Sequence, residues 1–345
     1  MAFRLLQSIF SGTDRPSKFD KELMLRGIER VVDGTDPRLR AVSHYRRKLW
    51  DPVEHMIDFV VNFINALPPP IVADRQGYMN DPRLRALFAS PESLRETLSF
   101  SDDTRAYLKK APNPLPDELY AGLGAIRTEK NVLGIEMDGE ILRRDVAQTV
   151  VNFRDPRLMS PSGNEQDARQ ALMQHAADYL IETALQQLTA SRVQKTQLEQ
   201  QLRKLLMQKA DLLKKAQVGF GSLAEPIPSK PIDLATLDQQ LQDLETELNQ
   251  LRADTATLDQ HLTKIAATLN EPEKYLQLES VSLTLDHSNT KVAADSPRIA
   301  HSMTFQEVVL SKGRRITVLF VRFPSSELLP QPDFFKEANR LLQSI

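Results

Sequence analysis

The chain has 345 residues, with 44 Lys and Arg against 46 Asp and Glu, a formal net charge of -2, and no cysteine. A near-neutral balance gives no global drive toward nucleic acid or an anionic membrane surface. The lack of cysteine excludes disulfides, thiolate nucleophiles and zinc sites built on sulfur. No stretch reaches the ~18 apolar residues of a membrane-spanning helix, and MAFRLLQSIFSGTDRP lacks the apolar run of a secretory signal, so the expected location is the cytoplasm.

In chain order, residues 1–16 form an N-terminal amphipathic segment in which Phe3, Leu6 and Phe10 share one side. Its RLLQSI, Arg4 to Ile9, recurs as Arg340 to Ile345. Residues 17–115 read as a helical region. Phe19, Leu23, Ile28, Val31 and Val32 fit one helix face, and Asp36-Pro37, Asp51-Pro52 and Asp81-Pro82 each place a capping side chain before a proline suited to the first helical position. The segment 53–67 is apolar nearly all round, which predicts a buried helix. The motif DPRLRA at 36–41 and 81–86, with DPRL at 155–158, reads as shared capping grammar, the alternative being a common anion-binding feature of its arginines.

From 116 to 162 the period falls to two. This first part of a β-rich body is expected to hold strands at 122–128 and 132–137 around a turn at 129–131, then a hairpin at Asp138-Gly139 and strands at 140–144 and 146–153. Gly122 and Gly124 lack the third glycine and following helix of a dinucleotide fingerprint, so close strand packing accounts for them.

Residues 163–271 contain two long helices around a loop at 218–232. The second carries an unbroken heptad seam at Leu234, Leu237, Leu241, Leu244, Leu248, Leu251, Thr255, Leu258, Leu262, Ile265 and Leu269. Within 233–270 seven acidic residues face two basic ones, whereas 192–216 has seven basic and two acidic, with a weaker seam at Ala184, Leu188, Leu198, Leu202, Leu205, Leu212 and Ala216. Opposite charge and a short loop predict an antiparallel coiled-coil hairpin within the chain.

Residues 272–345 supply the second part of the β-rich body, with strands at 275–285, 304–310 and 316–323 and a closing helix at 333–342. The strand 316–323 is apolar on both faces and should be central. The expected fold class is therefore α+β: an N-terminal helical region and an antiparallel β-rich body, with the coiled-coil hairpin inserted between two strand groups.

Candidate chemistry is sparse. The sequence has no phosphate loop, HExxH spacing or GxSxG elbow. His287, beside Asp286, is the first residue to test if the chain is an enzyme with dispersed catalytic residues. Two basic clusters could contact phosphate: Arg46, Arg47 and Lys48 next to Tyr45 and Trp50, and Lys312, Arg314 and Arg315 at a predicted hairpin tip. In the helical loop, Val218, Phe220, Leu223 and Ile227 either plug the hairpin end or form an apolar contact for another protein. Together these features point to a non-enzymatic cytoplasmic adaptor or assembly subunit without cofactor or metal, binding a protein partner or a second copy through its arm. A nucleic-acid-associated accessory protein is the alternative.

Overall fold

The computed structural model describes residues 18–112, 114–138, 141–218, 234–255, 257–292, 298–311 and 313–330. Its helices are α1 (Lys21–Gly34), α2 (Tyr45–Asn65), α3 (Arg75–Asn80), α4 (Pro82–Leu87), α5 (Pro91–Phe100), α6 (Asp102–Leu108), α7 (Glu165–Val218), α8 (Leu234–Thr255) and α9 (Leu258–Asn270). The strands are β1 (Ile71–Val72), β2 (Glu118–Asp138), β3 (Ile141–Ser162), β4 (Leu276–Leu285), β5 (His301–Leu310) and β6 (Arg315–Pro324). The class is α+β, and a helical pair separates β3 from β4 in the chain. The described residues form two compact units, 18–56 with 178–271 and 57–177 with 272–330.

In the second unit the strand order is β3-β2-β6-β5-β4, antiparallel throughout, with β1 added in parallel beside β6. β6 is central, as its two apolar faces require, and Val318 to Val321 are all buried. The sheet is strongly curled. The rings of Phe153 on β3 and Phe305 on β5 lie 5.2 Å apart, although two strands intervene and a flat sheet would separate β3 from β5 by about 14 Å. The turn after β4 completes the curl: Val151 N–H donates to Asn289 O, and Lys291 N–H donates to Thr149 O.

The bending has a local source. The β2–β3 register slips by one residue at three places, and each extra residue on β3 comes with a left-handed one, Asp145, Asp155 or Ser160, at φ between 52 and 60°. Bulges of this kind bend a strand and increase its twist. On the inner face Leu119, Ala121 and Leu123 of β2 join Phe305, Leu319 and Val321, closed by Leu84, Leu94 and Leu98 from the short helices. On the outer face a Cβ at Gly122 would sit 3.0 Å from Leu172 Cδ2, and the Arg169 guanidinium stacks 4.5 Å from the Phe320 ring. Gly122 thus serves packing of the sheet against the start of α7, and Gly124 the packing of Met159 and Ile316 within the sheet, where a Cβ would lie 3.0 Å from Met159 Cε.

Several expectations need correction. The proposed turn at 129–131 is interior to β2, because its polar run is a cross-strand polar face: Glu129 accepts from Lys291 at 2.7 Å and Asn131 Oδ1 accepts from the Thr149 hydroxyl at 3.0 Å. The hairpin register pairs Asp138 with Ile141, so its connection is one residue later than the Asp-Gly signal implies. Asp51-Pro52 starts no helix; α2 is already formed from Tyr45, and the buried Leu49 and Val53 hold it through the proline. Asp155-Pro156 lies in a bulge of β3. β1, directly after Pro68 to Pro70, was not expected from the sequence.

The first unit contains the helical pair. Lys209 meets Asp238 at 2.5 Å, Gln194 donates to Glu247 at 3.3 Å, and Lys264 donates to Ser191 at 3.1 Å. Partners that rise on one helix as they fall on the other make the pair antiparallel. Leu237, Leu241 and Leu248 are buried on α8, and Ala184, Leu188 and Leu198 on α7. The seam is not carried by one unbroken helix. A capping box between Thr257 and Gln260 starts α9 afresh, next to Thr255, the single polar position of the seam. From there Asp259 pairs with Lys48, and the buried His261 brings Nδ1 to 3.5 Å from Asp36 Oδ2. The N-terminal segment 1–16, the closing helix at 333–342 and both copies of RLLQSI lie outside the described residues.

Candidate functional site

The helical pair leaves part of α7 uncovered in a way its seam does not explain. Leu185, Val193, Leu206 and Met207 are 36, 50, 47 and 69% exposed. Successive helix residues turn by about 100°, so Leu185, Val193 and Met207 fall within about 100° of arc, roughly a third of a turn from the buried Ala184 and Leu188. From Leu185 to Met207 the row extends about 33 Å. The buried seam and the row of Leu185, Val193 and Met207 therefore occupy different faces of one helix, whereas Leu206, about five turns from Leu188, falls on the seam side. The row is visible in the sequence as apolar residues off the heptad positions, a signal hidden by the stronger seam on α8.

Val218 is the last residue of α7. The other proposed tip residues, Phe220, Leu223 and Ile227, lie outside the described residues, as does Lys312.

The basic clusters are mostly engaged by carboxylates. Arg46 pairs with Glu29 at 2.9 Å and stacks on Tyr45, while Lys48 pairs with Asp259. Arg47 and Arg314 are exposed. Arg315 reaches Glu279 at 2.6 Å and Glu307 at 3.3 Å. The arginines of the repeated motif behave alike. Arg38 donates its backbone N–H and Nε–H to Asp36 Oδ1 and its Nη2–H to Oδ2, and Arg83 does the same to Asp81. In both copies the aspartate caps a short helix while the guanidinium two residues on grips that same aspartate, so DPRLRA encodes a self-contained cap.

Asp286 and His287 do not form a dyad. Asp286 Oδ1 accepts from the amides of Ser288 and Thr290 at 2.9 Å each and from the Ser288 hydroxyl at 2.8 Å, while His287 is exposed. Burial would raise the Asp286 carboxyl, yet these hydrogen bonds and the charge of His287 hold it below the ordinary aspartate value. Asp286 secures the turn that closes the curled sheet.

One fully buried carboxylate, Glu307, is not evident from the sequence. Glu307 of β5 is fully buried on the inner face and receives Arg127 through two guanidinium nitrogens, with Arg315 on the same side. Arg127 also pairs with Glu129, which in turn holds Lys291. Desolvation pushes the Glu307 carboxyl up, but Arg127 first and then Arg315 outweigh it and leave its pKa below the usual glutamate range. The sequence signal is a lone Glu at an inward parity, two residues after Phe305.

Among the described residues no group of three or more His, Asp or Glu is placed to hold a metal ion, and no helix is long and apolar enough to cross a membrane. Comparison of the chain with protein-family models, with curated proteins and with solved structures found no match in any of the three.

Proposed function

We propose that the protein is a non-enzymatic cytoplasmic adaptor or assembly subunit whose helical hairpin, packed as a coiled coil, binds a protein partner. The observation that carries this reading is the exposed row Leu185, Val193 and Met207 on the face of α7 turned away from the seam. Apolar side chains held at helical spacing on a rigid rod can be buried together by another chain, and such anchors supply most of an interface's energy. The basic clusters lend the nucleic-acid alternative little support of their own, since Arg46, Lys48 and Arg315 already hold carboxylates.

The test is nuclease-treated affinity capture from native cell extract, comparing wild type with Val193→Asp/Met207→Asp and with the loop variant Phe220→Asp/Leu223→Asp. Both substituted α7 positions are exposed, so circular dichroism should be unchanged. A specific protein lost from the α7 variant supports the reading, and loss only from the loop variant moves the contact to the tip. An identical partner list for all three forms removes the hairpin as the docking element. Retention that vanishes with nuclease would replace this reading with nucleic-acid binding.

A further inference from the structure

The sheet of the second unit has a gap. β4 pairs with β5 along the whole of 301–310, but β6 pairs with β5 only through Gln306 to Val309. Further along that same edge of β6, β1 pairs at Val321 and Arg322, because β2 occupies the opposite edge. Between β1 and the first half of β5 lies a cleft of about 740 Å³, lined among others by Ile71, Val72, Gly77, Ser302, Met303 and Thr304.

Register decides which backbone groups face it. Leu310 N–H donates to Arg314 O, so the even-numbered residues of β5 direct their N–H and C=O groups toward β6 and the odd-numbered ones toward β4. Ser302 and Thr304 share that parity, and among the described residues no strand pairs with them on that side. On the other wall Ala73 N–H donates to Arg322 O, so Val72 turns its own backbone groups away from β6. The wall is closely built: a Cβ on Gly77 would lie 1.9 Å from Val72 O, which only glycine avoids.

The charged side chains around the cleft are tied to the chain itself. Asp74 accepts the Gly77 amide at 2.6 Å, and Asp81 holds the backbone and guanidinium of Arg83. What the cleft offers is main-chain donors and acceptors along a strand edge. One strand residue occupies about 3.3 by 4.8 by 10 Å in a packed sheet, so this space takes about four or five residues.

We propose that the cleft binds an extended, uncharged segment of a partner protein by strand addition, antiparallel to β5 and exchanging backbone hydrogen bonds with Ser302 and Thr304. This inference is independent of the helical hairpin and its partner. The test selects peptides from a displayed library of uncharged seven-residue segments against the full chain, then measures each on wild type and on Thr304→Pro. Proline there removes an N–H that faces the cleft and none that pairs with β4. NMR amide exchange at Ser302 and Thr304 is read with and without the selected peptide. The expected result is fast exchange in the protein alone, protection on peptide addition, and binding at least about ten-fold weaker to Thr304→Pro. The same loss is expected when the peptide is N-methylated on alternate residues, an arm that stands even if the proline variant does not fold. A library yielding no peptide that discriminates, selected peptides indifferent to both changes, or amides already protected in the protein alone would each overturn the proposal.

Discussion

Two carboxylates, Glu307 in the curled sheet and Glu29 on α1, gather similar partners in different surroundings. Glu307 takes Arg127 and Arg315 with its side chain wholly excluded from water. Glu29 takes Tyr45 at 2.8 Å, Arg40 at 2.9 Å and Arg46 at 2.9 Å while its side chain stays 30% exposed. Both carboxyls are held below the ordinary glutamate value, but for different reasons. At Glu29 the Tyr45 hydroxyl is the largest influence and lowers it outright. At Glu307 the largest influence is burial, which opposes ionisation, and the arginines have to overcome it. Similar pairs of ions can thus differ widely in what their loss costs, because water replaces a missing partner at the surface and cannot do so inside.

The largest effect should come from breaking the inner pair. Glu307→Leu leaves the nearly buried Arg127 without its main counter-ion and should cost about 3–5 kcal/mol in urea unfolding, at an unchanged m-value. Adding Arg127→Leu should recover most of that loss, since two apolar side chains replace both ions; a double variant as unstable as the single would show that the network does more than neutralise itself. The comparison sharpens in acid. Because the folded pKa of Glu307 is depressed, its stabilisation is complete above the unfolded value of ~4.3 and is lost as pH falls through the folded value. The stability gap between wild type and Glu307→Leu should therefore narrow below about pH 4, and a gap constant down to pH 2 would contradict the assignment. The smallest effect belongs to the outer cluster, where Glu29→Gln should lower stability by no more than about 1 kcal/mol, and by less at high salt.

Local chemistry was the most legible part of the sequence. The strand 316–323 could be recognised as central from its two apolar faces, and the helical pair from leucine spacing and opposite charge, because both patterns are written along contiguous residues. What escaped depends on partners distant in the chain. Asn131 reads as a turn residue until Thr149 is seen across from it, and Glu307 reads as one polar residue among apolar ones until Arg127 arrives from another strand. The break between α8 and α9 was masked by leucines that keep their spacing across Thr255 to Thr257, although the capping box at Thr257 and Gln260 was present in the sequence. The exposed row on α7 is hidden for a related reason: its apolar residues fall outside the heptad positions that carry the stronger periodicity.

The interleaving of the two units has a consequence for how the chain is made. The piece 18–56 belongs with 178–271, and α1 finds Asp178 through Arg30 and Ile181 through Gly34. About 140 residues separate the end of α1 at Gly34 from Asp178, and ribosomes add about 5–20 residues per second, so α1 emerges about 7–28 s before those partners exist. During that interval Met24, Ile28, Val31 and Val32 lack whatever native surface residues 178–271 of their unit supply. The nascent chain should therefore be a client for holding chaperones early in its synthesis, and the affected stretch is the one that looks, in the finished molecule, like an ordinary amphipathic helix.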